Sequence, residues 1–242
     1  KWEKIVSIIA LPLIGNMFVQ CNSRGAFLGG GVMGMVGLVA AHKKIRLKIL
    51  VGMLVCVVCM YIFAFERVTS RLETIESYEE DGSAMGRVEA WVGAMELLAH
   101  HPLGAGGGGF KYYSPQYIPE IVAAYGGQPR SVHNTYLEIA TNFGIQGIFL
   151  FMMLLFHTFY ELYRIRKRTG THDDVFYNTE STAIALGLIG FLISAIFGVR
   201  VYAENMYWYL ALASSLSNIQ KVELLHEEER SQEQEDDSNN VH

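Results

Sequence analysis

Two stretches of this chain, Leu47–Phe65 and Tyr136–Tyr160, run long and nearly free of charge, and a bilayer core asks for just such blocks of about 20 mostly apolar helical residues. Four further apolar blocks accompany them. Ile5–Val19 is shorter and contains Pro12, Gly15 and Asn16. Gly25–Ala41 carries Gly25, Gly29, Gly30, Gly34 and Gly37, small residues that let a second helix approach closely where lipid gives no hydrophobic drive for association. Thr179–Val199 and Met206–Ile219 form a helical hairpin about the polar hinge Arg200–Asn205. With 51% hydrophobic and 18% charged residues arranged this way, the expected fold is all-α, a polytopic transmembrane helical bundle of about six spans.

Basic residues set the orientation, because Lys and Arg in short connections stay in the cytoplasm. His42–Lys48 and Arg164–Arg168 are the dense basic clusters, and six crossings put both on one side. The same parity gathers Cys21–Arg24, the long segment Glu66–His133 and the hinge Arg200–Asn205 on the other face. The organisation expected is three transmembrane helices over 1–65, an outer catalytic loop over 66–135, three helices over 136–220 and a disordered acidic cytoplasmic tail over 221–242. Lys1-Trp2-Glu3-Lys4 shows no initiator Met and no signal-peptide pattern, as expected of the later part of a longer protein. Cys56 and Cys59 form a C-x-x-C inside an apolar helix, without the polar surroundings a reactive thiolate needs, and read as packing residues.

A connection of this length inside a compact domain is functional more often than passive. Val88, Trp91, Val92, Met95, Leu98 and Ala99 recur at helical spacing, which predicts an amphipathic helix ending just before Pro102. The glycine run of Gly104 and Gly106–Gly109 reads as a flexible connector, with anion contact through exposed N–H groups as the functional alternative. Tyr112, Tyr113, Tyr117 and Tyr125 suit a membrane interface or a sugar-binding surface. His133 closes the loop at the membrane surface, where a neutral imidazole can take a proton. Arg24, Arg87, Arg130 and Arg200 share its face, and guanidiniums there suit phosphate recognition through bidentate hydrogen bonds. Adjacent helical positions point about 100° apart, so His100 and His101 do not make a metal site, and none is expected.

Three blocks together resemble the O-antigen ligase and polymerase superfamily of bacterial cell-envelope glycosyltransferases. They are Ser23-Arg24-Gly25; Gly86-Arg87 with Trp91 and then His101-Pro102-Leu103-Gly104-Ala105-Gly106; and His133-Asn134 through Leu137-Glu138 to Phe143-Gly144-Ile145-Gln146-Gly147. The resemblance covers about residues 5–219, and members have more helices, so the chain looks like their C-terminal portion. It implies a multi-pass protein of the bacterial inner membrane with the active loop in the periplasm. The implied reaction needs no cofactor. It moves an oligo- or polysaccharide from a polyprenyl-pyrophosphate donor to a hydroxyl on a glycan, lipid or protein acceptor, with membrane lipid and no nucleic acid as partner. In that scheme Arg24, Arg87 and Arg130 hold the pyrophosphate, Arg87 also acts in catalysis, and His133 assists deprotonation of the acceptor. A polymerase of repeat units, a flippase for an anionic lipid-linked glycan and a non-catalytic assembly subunit are the alternatives. Against transport, the charges lie at the ends of the spans and in the loop rather than midway through the membrane.

Overall fold

A computed structural model describes residues 24–41, 46–55, 79–168 and 174–240, with Val6, Lys43 and Val58; the side chains of Arg24, of residues 79–84 and 235, and of 237–240 are outside it. Among the described residues the regular structure is helical, as the apolar blocks predict. The helices are α1 (Arg24–Ala40), α2 (Glu79–His100), α3 (Gly109–Tyr117), α4 (Pro119–Ala124), α5 (Thr135–Lys167), α6 (Asp174–Ser194), a 3₁₀ turn (Ala195–Phe197) and α7 (Glu204–Asn240). Residues 46–55 are also helical. The expected span Ile5–Val19 except Val6, the part of Leu47–Phe65 after residue 55 except Val58, Cys56, Cys59 and the loop up to Tyr78 lie outside the described residues.

Two helices are long and apolar enough to cross a membrane, Thr135–Lys167 and Asp174–Phe197, and Gly25–Ala40 is a shorter apolar helix. The glycines of α1 do what their size allows. Gly25 and Gly29 are buried, and a Cβ on Gly29 would stand 2.5 Å from the Gly190 carbonyl oxygen of α6. The sixth expected span, Met206–Ile219, is instead the first part of the much longer α7.

The chain divides into two compact units, Lys1–Ile148 with Ile189–Tyr202, and Phe149–Leu188 with Ala203–His242. In the first, α2, α3, α4 and the segment after them close on a core of Ala90, Ala94, Leu97, Phe110, Ile118, Val122 and Val132. Burying Phe110 and Leu97 completely stabilises the unit by about 1.5–3 kcal/mol each. The second unit buries Leu162, Ile165, Tyr177, Ile184, Ala213 and Leu216. Beside that core lies a polar cluster on Glu161, reached by Arg164, Arg168, Lys221 and Ser217.

Two local expectations need correction, while the helix predicted to end just before Pro102 is present as α2. Its buried side is Ala90, Gly93, Ala94 and Leu97, and Val88, Val92 and Met95 of the predicted apolar stripe are more than half exposed. Small residues win the inner face because the partner comes too close for large ones; a Cβ on Gly93 would lie 2.9 Å from Ile118 Cγ2. The tail expected to be disordered continues α7 to Asn240. Glu and Gln extend a helix already nucleated, so no new nucleation cost opposes it, and Ser231 Oγ and Arg230 Nε donate to the carbonyls of Glu227 and His226 one turn back. The other correction concerns the glycine run, much of which is a fixed clasp rather than a loose connector.

That clasp joins the second and third motif blocks. Gly144 adopts φ +73° within α5, where two helical stretches meet at a kink, and Gly104 adopts φ +94°. A Cβ on Gly144 would lie 2.4 Å from Leu103 C, and one on Gly104 2.5 Å from Asn142 O, so the backbones touch where only glycine fits. The N–H groups of Ala105 and Gly106 donate to the carbonyls of Thr141 and Asn142 at 2.7 and 3.1 Å, and Ile145 N–H donates to Pro102 O at 2.9 Å. Gly109 N–H donates to Asn142 Oδ1 at 3.1 Å. With these donors committed to protein carbonyls, the run holds the loop on α5.

Candidate active site

The irregular segment Arg130–Asn134, with Thr135 at the start of α5, is held at almost every residue. Arg130 N–H donates to Ser114 Oγ at 2.8 Å, and that hydroxyl donates in turn to Lys111 O. Val132 is fully buried in the loop core, and its carbonyl accepts from Trp91 Nε1 at 3.0 Å. Asn134 caps α5, its Oδ1 accepting from the N–H groups of Tyr136 and Leu137 at 2.9 and 3.1 Å. Thr135 Oγ1 donates to Gly198 O at 2.6 Å and accepts from Arg200 N–H at 2.9 Å.

Within this fixed run His133 has φ +51°, the left-handed region that a non-glycine residue occupies at a cost of order 1–3 kcal/mol. The anchors on either side impose it. His133 lines a cavity of about 190 Å³ together with Gly86, Arg87 and Ala90 of α2, Ile118, Ile121, Tyr125, Arg130 and Ser131. Arg130 Cζ lies 3.9 Å from the centroid of the Tyr125 ring, a cation–π contact that fixes the guanidinium while leaving its edges free to donate.

Among the described residues the wall of this cavity contains two guanidiniums, an imidazole and no carboxylate. Among the described residues the ion pairs gather on Glu161, and neither Arg87 nor Arg130 has an acidic partner. Burial, and then the positive charges of Arg87 and Arg130, hold the His133 imidazole below its ordinary pKa. It is therefore neutral at physiological pH and able to accept a proton beside two fixed cations.

Of the residues singled out in the sequence, Arg87, Arg130 and His133 meet in this one cavity. The side chain of Arg24 lies outside the described set, but its helix start is placed: a Cβ on Gly25 would stand 3.0 Å from Phe197 Cβ. From Phe197 the chain runs directly to Gly198 and Arg200, both bonded to Thr135. The starts of α1 and α5 thus meet at one hinge. His100 and His101 each face a tyrosine, Tyr117 and Tyr113, with ring centroids 6.0 and 5.3 Å apart.

Sequence reasoning missed Ser131 as a lining residue, and Tyr125 was read only as an interface or sugar-binding aromatic. It also missed the anchors Ser114 and Thr135. A helix-capping signal was legible in Asn134-Thr135 ahead of the apolar run. Ser114 and Ser131 carried no signal, since isolated serines have no periodicity or spacing to mark them. The buried network of Glu138 and Asn142 was also unforeseen: Asn142 Nδ2 donates to Glu138 Oε1 at 3.2 Å and to the Tyr202 hydroxyl at 3.4 Å.

Comparison with known proteins gives one family, described as O-antigen ligase, which matches residues 9–152. That range contains α1, the whole loop with its cavity, and the first half of α5. No curated protein and no solved structure matches the chain.

Proposed function

We propose that this chain, which belongs to the O-antigen ligase family, transfers a glycan from a polyprenyl-pyrophosphate donor to an acceptor hydroxyl at the outer surface of the bacterial inner membrane. The observation that carries the reading is the cavity in which Arg87, Arg130 and His133 stand together, with no carboxylate among the described residues that line it. On this reading the six-span topology holds, and the loop of residues 66–135 is periplasmic.

The acceptor O–H gives its proton to the neutral His133 imidazole as its oxygen attacks the anomeric carbon. The bond from that carbon to the phosphate oxygen breaks, and the electron pair leaves with the diphosphate. Arg87 and Arg130, with Arg24 reaching in from the start of α1, stabilise the charge that develops on the leaving oxygens. The imidazolium then returns its proton to water. Fixed guanidiniums do this well because they need no reorganisation when the charge appears.

Two experiments test the proposal. His133→Ala and Arg87→Ala in the full-length protein are expected to abolish glycan transfer and leave membrane insertion intact; normal polymer on the acceptor in both variants would overturn the assignment. In a deletion strain, accumulated lipid-linked polymer marks a ligase, single repeat units on the acceptor mark a polymerase, and an unchanged glycan profile refutes both.

A further inference from the structure

The loop core uses only one side of α2. On the other, Met85, Val88, Val92 and Met95 recur three, four and three residues apart, and each is more than half exposed. Glu89 and Glu96, also exposed, border this row along the same helix. A strip of large apolar side chains left uncovered on a helix whose opposite face is packed asks for an apolar occupant, and with an acidic margin the burial of the strip, not attraction to anionic lipid, would seat it.

What lies beyond the end of α2 identifies the occupant. Three residues after α2 stops, Leu103 is 78% exposed, and its backbone rests on Gly144 of α5 while its carbonyl accepts from Gln146 Nε2 at 2.8 Å. Phe143 and Ile145, which flank Gly144, are exposed as well, and they belong to a helix long and apolar enough to cross a membrane. Leu103 therefore joins the apolar surface of that helix. Tyr112, exposed and edge-on to Tyr113 at 5.2 Å, adds an amphipathic ring of the kind enriched at membrane interfaces.

We propose that α2 rests on the bilayer surface, with Met85, Val88, Val92 and Met95 inserted into the headgroup–acyl boundary together with the exposed Leu103, Phe143 and Ile145. The seating has a consequence that rests on the function proposed above. Arg87 is the neighbour of Val88, so anchoring the row holds the cavity at the depth of a lipid headgroup, where the pyrophosphate of a polyprenyl donor lies. Such a cavity favours membrane-borne donors over soluble ones.

The test places a nitroxide at Val88→Cys, Val92→Cys or Met95→Cys in the full chain, with Cys21, Cys56 and Cys59 replaced by serine. The protein is reconstituted in vesicles of phosphatidylethanolamine and phosphatidylglycerol. Lys111→Cys and Gln116→Cys, exposed positions of α3, serve as water-facing references. Collision with oxygen relative to a water-soluble nickel chelate is expected to be several-fold higher at 88, 92 and 95 than at the references. Nickel contact equal to theirs at 88, 92 and 95 would put the face in water and overturn the proposal. Weak collision with both reagents would overturn it in favour of a protein partner, such as a second copy of the chain. Because the readout is independent of turnover, a lipid-seated α2 in a protein whose deletion leaves the glycan profile unchanged would refute the function and leave the seating standing.

Discussion

Arginines gather in two places in this chain, and they are treated in opposite ways. Around Glu161 the cations close on a carboxylate: Arg164 Nη1 at 3.2 Å, Arg168 Nη2 at 3.7 Å and Lys221 Nζ at 3.9 Å, with Ser217 Oγ donating to it at 2.6 Å. Arg168 also donates to Ser217, and the buried Gln220 amide donates to Ile165 O, so the polar groups are engaged with one another. In the loop cavity Arg87 and Arg130 stand beside His133, whose pKa is lowered, with no acid among the described lining residues. The first cluster spends its charge internally and joins α5 to α7. The second has no acidic partner among the described residues, which on the function proposed above suits it to an anion. The same residue type is structural or functional according to whether a carboxylate sits beside it.

The sharpest way to break this contrast is to remove one guanidinium from each cluster. Arg87→Gln is expected to lower the rate of glycan transfer on the order of 10²–10³-fold, the usual cost of deleting one group that stabilises developing charge. Arg168→Gln is expected to leave the rate per molecule nearly unchanged. Initial rates in membranes, normalised to the amount of protein, check both. Equal losses would mean that the two clusters do not differ in kind.

Stability should show the reverse order. Glu161 is 8% exposed, and removing it strands cations gathered on one carboxylate. Breaking a buried pair costs about 3–5 kcal/mol, and the partial exposure of Arg164 and Lys221 reduces that, so Glu161→Ala is expected to lower unfolding free energy by about 1–3 kcal/mol. Denaturation of the purified chain in detergent measures it, with the exposed Glu120→Ala as reference. A loss no larger than the reference would remove the structural role given to the cluster.

The acidic limb of the pH–rate profile sharpens the other side. The folded-state pKa of His133 is depressed, so the imidazole stays neutral as pH falls past its ordinary value of 6.5, and transfer declines only as pH drops through the lowered pKa. The same depression makes the unfolded chain bind the proton more readily, so the stability contributed by this group is full above 6.5 and is lost as pH falls through the folded pKa. Arg130→Gln removes one of the two charges that lower it, and the limb of whatever transfer remains is expected to move to higher pH. Arg168→Gln is expected to leave the limb where it is.

The contrast was only half legible in the sequence. Hydropathy located the two long apolar helices because lipid solvation depends on composition alone, and Arg87, Arg130 and His133 were visible as charges and an imidazole clustered in one loop. Their convergence depended on contacts that leave no local pattern, such as Ser114 with Arg130 and Thr135 with Gly198. The helical spacing of α2 was legible, but which side it buries was not: close packing against Ile118 requires glycine and alanine on the inner side and leaves Val88, Val92 and Met95 outside. The glycines at 104 and 144 looked like freedom and serve as contact, since their partner lies in another part of the chain. The Glu161 cluster escaped notice because Glu161, Arg168 and Ser217 are brought together only by the fold.

The smallest expected effect tests how the Glu161 cluster shares its load. Arg164 is the nearest cation by distance, yet its side chain is 45% exposed and pairs with Glu161 three residues earlier on the same helix, an arrangement worth about 0.5 kcal/mol or less. Arg168, with a side chain only 15% exposed, and Lys221 remain on the carboxylate when Arg164 is lost. Arg164→Ala is therefore expected to change unfolding free energy by at most about 0.5 kcal/mol and transfer not at all. In a double-mutant cycle with Lys221→Ala, each charge removed leaves the carboxylate less compensated, so the pair should cost more than the sum of its parts. Strict additivity would mean that the cations act one by one, and that the cluster is three separate contacts rather than a joint between two helices.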